Sequence, residues 1–141
     1  MIASISVERK LFKLKEYTGY LKTCRKCSLK QIKEDHILQG AVLHYLQLSI
    51  ESMLDIGELV ISELRLPRPE IGRDVFFILA KSKIFSSRFA GKIAPMVGMR
   101  NILVHEYDDI DLAKVYGCLQ NNLEDFAMFA KHVAKFMQRK Q

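Results

Sequence analysis

The stretch from residue 43 to residue 64 constrains the fold more than any other part of the chain. Its apolar positions recur by alternating threes and fours, at Leu43, Leu46, Ile50, Met53, Gly57, Val60 and Leu64. This spacing predicts one long helix, here called the seam helix, that packs against other helices. Gly57 would permit a close helix approach, at some cost in helix propensity. Pro67 and Pro69 should end the helix, because proline lacks the helical donor and restricts its predecessor.

Residues that break helices are scarce in the rest of the chain as well. Its 141 residues include 7 glycines and 3 prolines, with 49% apolar and 27% charged residues. This composition is typical of a soluble globular protein, and the length suits one helical domain over residues 1–141. We therefore expect an all-α fold, an antiparallel bundle of four to five helices.

Apolar spacing also locates the other expected helices. Beside the seam helix they cover about residues 6–26, 74–85 and 111–137, with a fourth helix before the last. Residues 28–35 are polar and would cap or interrupt the chain before the seam helix. Pro95 either interrupts the fourth helix or begins a separate one over about residues 95–105. Candidate N-caps are Ser86 or Ser87 for the fourth helix and Asp109 or Asp111 for the last.

Positive charge is concentrated near the N-terminus. The formal net charge is +6, and residues 9–33 contain nine basic residues against one acid, Glu16. A second basic group closes the chain at Lys131, Lys135, Arg139 and Lys140. Basic stretches attract polyanions by neutralising phosphates, whatever the base sequence. The alternative is a solvated helix face that keeps the protein soluble, and charge alone favours it slightly.

The three cysteines, at positions 24, 27 and 118, cannot all pair within one chain. The N-terminus lacks a signal-peptide core and no apolar run reaches membrane length, so we expect a cytoplasmic location without membrane association. Cys24 and Cys27 form a CxxC, which no second pair or histidine motif completes into a zinc site. We interpret it as incidental, and we expect no metal and no cofactor. The minor alternative is a redox or metal role, in which neighbouring cations would lower a thiol pKa.

The octapeptide from Arg100 to Tyr107 (RNILVHEY) carries the residue types best suited to chemistry. Arginine is a permanently charged fork that suits phosphate, and histidine is readily poised for proton transfer near neutral pH. Arg100 and His105 are therefore a minimal set for breaking a phosphodiester bond without a metal.

Helical geometry tests whether Arg100 and His105 can act together. At about 100° per residue they lie roughly 140° apart on a regular helix, so they do not point at one phosphate. A helix end near Val104, an arginine that wraps round the helix, or a second subunit would bring them together. The alternative without catalysis is that Arg100 pairs with an acid, His105 is satisfied at an interface, and Tyr107 packs with its hydroxyl in water.

The octapeptide resembles a known family. Arg100-x4-His105-x-Tyr107 matches the Rx4HxY signature of the HepT-like toxins of HepT/MntA modules, which belong to the HEPN superfamily of small helical ribonucleases. A polar residue after the arginine, here Asn101, is common in that superfamily. The seam helix and the proline-containing loop after it also resemble the family, so the resemblance extends over about residues 8–138.

The resemblance implies the toxin of a toxin–antitoxin module, a metal-independent endoribonuclease that acts as a homodimer with a shared cleft. His105 would serve as general base or acid on RNA, either transfer RNA or messenger RNA, and Arg100 would hold the phosphate. Asn101 would orient groups around them. Asp55 could lie near the cleft, although a polar residue on the rim of the bundle is the simpler account.

The resemblance also implies a regulatory partner. In the family, an MntA-like nucleotidyltransferase antitoxin adds AMP to the motif tyrosine, which is Tyr107 in this chain. AMPylation beside Arg100 would neutralise the arginine and fill the cleft. A different hypothesis is a non-catalytic helical subunit that binds a nucleotide or the nucleotidyltransferase.

Overall fold

The structure is a computed structural model that describes residues 2–105 and 109–140, and every regular element of these residues is a helix. The helices are α1 (Ile2–Cys24), α2 (Leu29–Glu34), α3 (His36–Glu63), α4 (Asp74–Lys81), α5 (Ser87–Ile93), α6 (Pro95–His105), α7 (Leu112–Asn121) and α8 (Leu123–Lys140). The prediction of an all-α fold is confirmed. The expected bundle is built from three long helices, α1, α3 and α8, joined by shorter segments.

The seam helix is α3, and its apolar stripe forms the centre of the core. Of the predicted seam positions, Leu43, Leu46, Ile50, Met53, Gly57 and Val60 are buried, and Leu64 caps the helix. A Cβ added at Gly57 would overlap the Val75 side chain of α4. The close helix approach predicted at Gly57 is therefore confirmed.

Helix α1 runs antiparallel to α3. Lys10 Nζ lies 3.1 Å from Asp55 Oδ2, whereas the Tyr20 and Tyr45 rings lie 4.7 Å apart between centroids. Higher residue numbers on α1 therefore meet lower numbers on α3. Helix α8 also packs against α1 and α3, and an ion pair joins the chain after α1 to the start of α8. The three long helices are the frame that holds the shorter ones.

Short polar side chains cap the helices where the sequence indicates. Ser28 forms a capping box with Gln31 and begins α2, and the Asp35 carboxylate accepts hydrogen bonds from two backbone N–H groups at the start of α3. Ser86 caps α5 and Asp111 caps α7. These caps satisfy backbone donors that the first helical turn leaves free. Of the candidate N-caps, the structure therefore has Ser86 rather than Ser87 and Asp111 rather than Asp109.

Three helix ends differ from the sequence expectation. Helix α1 begins at Ile2 rather than near residue 6, and α4 ends at Lys81 because Lys83 adopts a left-handed φ of 64°. The last expected helix is two helices, α7 and α8, which Asn122 separates. The side-chain amide of Asn122 donates a 3.1 Å hydrogen bond to Asp125 Oδ2, and this bond stabilises the break between the two helices.

Aromatic packing and one buried carboxylate hold α4 and α5 to α8. The Phe76 ring of α4 meets the Phe129 ring of α8 edge-on, with centroids 5.9 Å apart. The buried Asp125 pairs with Lys92 of α5, with 3.1 Å between Nζ and Oδ1.

In the parts of the chain that the structure describes, no helix has both the length and the apolar character needed to cross a bilayer.

Gly57→Ala should lower the free energy of unfolding by about 1–3 kcal/mol, because the added methyl group overpacks the contact with Val75. Gly40→Ala is the matched control in the same helix, since nothing lies within 4 Å of its added Cβ. It should raise stability by up to about 1 kcal/mol through helix propensity. Urea denaturation measures both values, and equal effects of the two substitutions would contradict the close packing of α3 and α4.

Candidate active site

Helix α6 positions the predicted site residues. Pro95 occupies its first turn, where the missing N–H costs nothing, so the chain starts a separate helix there rather than a kinked continuation of α5. One face of α6 is buried through Met96, Val97 and Leu103, and α6 packs on α3 and α5. The opposite face is exposed and includes Gly98, Asn101 and Val104.

Arg100 lies between these two faces and is half-buried. Its Nε atom is buried and has no hydrogen-bond partner among the residues that the structure describes. A buried charged donor without a partner is unfavourable, because it has lost water and gained no acceptor. The guanidinium is therefore partly buried, and its Nε donor lacks an acceptor among the described residues, which suits an anionic ligand.

His105 is the last residue of α6, and its side chain is exposed. Both Arg100 and His105 occupy helical positions, and the alternative of a helix end near Val104 depends on residues 106–108, which lie outside the described residues. No hydrogen bond joins these two described side chains within one protomer. Asn101 is exposed on the same helix, one residue after the arginine.

Tyr107, with Glu106 and Asp108, lies outside the described residues, so its role stays a prediction. The acidic cluster that follows the octapeptide is described from Asp109 onward. Asp111 of this cluster caps α7 through a 3.0 Å hydrogen bond from the Ala113 backbone N–H to its Oδ1. At least one acid near the site thus has a structural function.

Asp55 and the two N-terminal cysteines have structural explanations. Asp55 forms its exposed ion pair with Lys10, which agrees with the simpler account of a rim residue. Burial, followed by the nearby Cys27, raises the pKa of Cys24, which is opposite to the minor alternative in which cations lower a thiol pKa. Burial also raises the pKa of Cys118, to about 11.

Over residues 2–105 and 109–140, no three His, Cys, Asp or Glu side chains are grouped to hold a metal ion.

A recess at the C-terminal end of α3 was not anticipated from the sequence. It has a volume of about 540 Å³, and the Arg65 and Arg68 side chains line it. The available sequence signal is an arginine where the chain leaves a long helix, a place where glycine is usual. That signal is weak, because the sequence does not show which residue at the helix end adopts the left-handed backbone conformation.

With the fold and the position of the octapeptide established, similarity to known proteins identifies the family. The sequence profile described as ribonuclease HepT-like matches residues 7–133, and the chain belongs to this family. It is 35% identical over 99 residues to the mRNA nuclease HepT of Shewanella oneidensis, covering 70% of this chain and 74% of that protein. It is 28% identical over 136 residues to the tRNA nuclease HepT of Aphanizomenon flos-aquae, covering 96% of this chain and 92% of that protein.

Solved structures with the same fold agree with this assignment. The tri-AMPylated HEPN toxin of Shewanella oneidensis in complex with MNT antitoxin superposes with a TM-score of 0.83 at 29% identity, covering 92% of this chain and 96% of that one. A toxin–antitoxin structure with AMP-PNP gives a TM-score of 0.84 at 28% identity, covering 92% and 97%. The Bacillus subtilis protein YutE gives 0.85 at 18% identity, covering 96% and 90%, and this similarity shows the fold alone.

Proposed function

We propose that this chain is the toxin of a toxin–antitoxin module and that it is an endoribonuclease acting through Arg100 and His105. The observation that carries the proposal is the buried Nε donor of Arg100, which lacks a partner in the described residues, on the same short helix as the exposed His105. Membership of the ribonuclease HepT-like family supports it, as do relatives named as HepT nucleases and neighbours that are toxins in complex with an antitoxin.

The reaction follows from the chemistry of the two side chains. His105 takes the proton of a ribose 2′-hydroxyl, the 2′-oxygen forms a bond to phosphorus, and the bond from phosphorus to the 5′-oxygen breaks. The leaving 5′-oxygen receives a proton from a histidine acting as general acid. Arg100 stabilises the charge that develops on the phosphate, and Asn101 orients groups around it. These steps need no metal ion, and only RNA offers the 2′-hydroxyl.

The site is proposed to be completed by a second copy of the chain. Arg100 and His105 lie roughly 140° apart on α6, so two antiparallel α6 helices would supply one arginine and one histidine to a shared cleft. The exposed face of α6 suits such a contact, because it contains Gly98 and Val104 and lacks lysine and arginine. A Cβ at Gly98 would meet nothing within 4 Å of its own protomer, which leaves room for a close neighbour.

The proposed partner is an MntA-like nucleotidyltransferase antitoxin that AMPylates Tyr107. Neighbouring structures are described as a tri-AMPylated toxin with MNT antitoxin and as a toxin–antitoxin with AMP-PNP, which supports the same regulation here. Tyr107 follows His105 by two residues, so a bulky anionic adduct there would compete with RNA for Arg100.

RNA is proposed to reach the site through the basic N-terminal helix and through the exposed lysines of α8. Helix α1 exposes Arg9, Lys13, Lys15 and Lys22, which would attract any polyanion. Relatives are named both as an mRNA nuclease and as a tRNA nuclease, so both RNA classes are candidate substrates. Such a toxin would act on RNA in the cytoplasm.

His105→Ala should reduce RNA cleavage by about 100-fold to 10,000-fold, the usual contribution of general acid–base catalysis. Arg100→Ala should lose a similar factor through transition-state stabilisation. His36→Ala is the control, because His36 is exposed at the start of α3 and should leave cleavage unchanged. Cleavage of purified tRNA and mRNA is measured on gels. A wild-type protein that binds its nucleotidyltransferase but leaves both RNAs intact would instead favour the non-catalytic subunit.

Gly98→Leu should abolish the dimer and with it cleavage, because the added side chain blocks the close approach of two α6 helices. Gly91→Leu is the matched control, since Gly91 is also an exposed helical glycine with nothing within 4 Å of an added Cβ. Light scattering coupled to gel filtration measures the mass in solution. A Gly98→Leu protein that remains dimeric and active would exclude this face as the dimer contact.

Tyr107→Phe should retain cleavage but resist inactivation, because phenylalanine has no hydroxyl to receive AMP. Incubation with an MntA-like enzyme and ATP, followed by intact-mass measurement, tests this. Tyr20→Phe is the control, since Tyr20 is an exposed tyrosine on α1 whose loss should leave AMP transfer unchanged. Equal AMP transfer to wild type and Tyr107→Phe would show that another residue is modified.

A further inference from the structure

The recess at the C-terminal end of α3 combines three kinds of surface. The buried Ile61 and the half-buried Leu66 and Pro69 provide apolar wall, while Glu58 provides a carboxylate. The remaining charged side chains are Arg65 and Arg68. The volume of about 540 Å³ is within the range of small-ligand sites. No residue of α6 lines it, so it is distinct from the Arg100 site.

Within the part of the chain that the structure describes, the charged groups of this recess form no ion pairs. Over residues 2–105 and 109–140, neither Arg65 nor Arg68 forms an ion pair or a side-chain hydrogen bond, and the same holds for Glu58. Among the described residues, four basic side chains form ion pairs, those of Lys10, Lys13, Arg25 and Lys92. Both guanidinium groups line the same recess, and an anion bound there would interact favourably with each of them.

Arg65 ends α3 in a left-handed backbone conformation. Arg65 has a φ of 55°, in the left-handed region, and it ends α3 with a 3.0 Å hydrogen bond from the Leu66 N–H to the Ile61 carbonyl. Glycine is the usual residue in this position, because a side chain there is strained. Arg65 occupies this position, and its side chain lines the recess.

We propose that the recess binds one phosphorylated nucleotide unit. Arg65 and Arg68 bind the phosphate, as guanidinium groups bind it in forked hydrogen bonds. Glu58 accepts a hydrogen bond from a ribose hydroxyl, and the apolar wall of Ile61, Leu66 and Pro69 receives the base. An anion without a sugar would leave Glu58 as a repulsive group, which is why a nucleotide fits better than free phosphate.

The nucleotide unit can come from RNA or from a free nucleotide. In the first case the recess is an additional contact for the substrate, and this rests on the proposed function. The two failures are distinguishable because binding is measured with His105→Ala protein, in which RNA stays intact. Loss of binding then concerns the recess, whereas absence of cleavage by wild type concerns Arg100 and His105.

The test compares Arg65→Gly with Lys83→Gly, both on the His105→Ala background. Lys83 has a φ of 64° at the end of α4 but does not line the recess, so the same backbone strain is relieved in both variants. Arg68→Ala and Arg65→Asn serve as further variants, and asparagine tolerates the left-handed conformation. Fluorescence anisotropy measures binding of a short single-stranded RNA, the matching DNA, AMP and ATP at several salt concentrations.

Arg65→Gly and Arg68→Ala should weaken RNA binding about tenfold each, the effect expected when a charge-assisted hydrogen bond is removed. The slope of log affinity against log salt should fall by about 0.7 for each phosphate of a single strand that the variant no longer neutralises. Lys83→Gly should bind like the parent, and the Tm of both glycine variants should equal or exceed that of the parent. Weaker binding of DNA than of RNA would support the role of Glu58.

The remaining outcomes decide whether the bound nucleotide unit comes from RNA or from a free nucleotide, or they overturn the proposal. If AMP and ATP bind to the parent and lose affinity in Arg65→Gly while RNA binding is unchanged, the ligand is a free nucleotide. If Arg65→Gly, Arg65→Asn and Arg68→Ala bind RNA and both mononucleotides as the parent does, the proposal is wrong. It is equally wrong if Lys83→Gly lowers affinity as much as Arg65→Gly, because the effect would then be general charge loss.

Discussion

The fold depends on the burial of one apolar stripe along α3. This helix packs against α1, α2, α4, α6 and α8, so each of them is held in place by the same seam. Each large apolar side chain buried there contributes about 1.5–3 kcal/mol. The stripe also sets the distance between α3 and α4, because Gly57 lets α4 come closer than a side chain would allow. The recess and α6 are both positioned relative to α3.

Arg100 and Asp125 differ in how their buried polar atoms are partnered. A buried charged donor without an acceptor, as Arg100 Nε is among the described residues, costs stability. Asp125, by contrast, is buried with both a lysine and an amide beside it. Arg100 Nε thus lacks, among the described residues, the kind of partner that Asp125 has, and this supports the proposed phosphate contact.

The sequence predicted the fold well because the signals are local. The three-four spacing of the seam and the capping serines and aspartates each act within a few residues, whereas the sequence left open whether Pro95 interrupts a helix or begins one. The break at Asn122 was missed, since the apolar spacing continues through it and only the hydrogen bond to Asp125 marks it. The raised pKa of Cys24 was missed for a related reason, because burial depends on what packs over a side chain.

By itself, the sequence determined the helical class, the seam of the core, and the octapeptide that identifies the HepT-like family. The physical reason is that helix periodicity, capping and a short motif are all encoded by near neighbours. Only the tertiary structure decided that Arg100 is half-buried while His105 is exposed, and that Arg65 and Arg68 line one recess. Those properties arise from the packing of α6 and the end of α3 against distant parts of the chain, which no local pattern specifies.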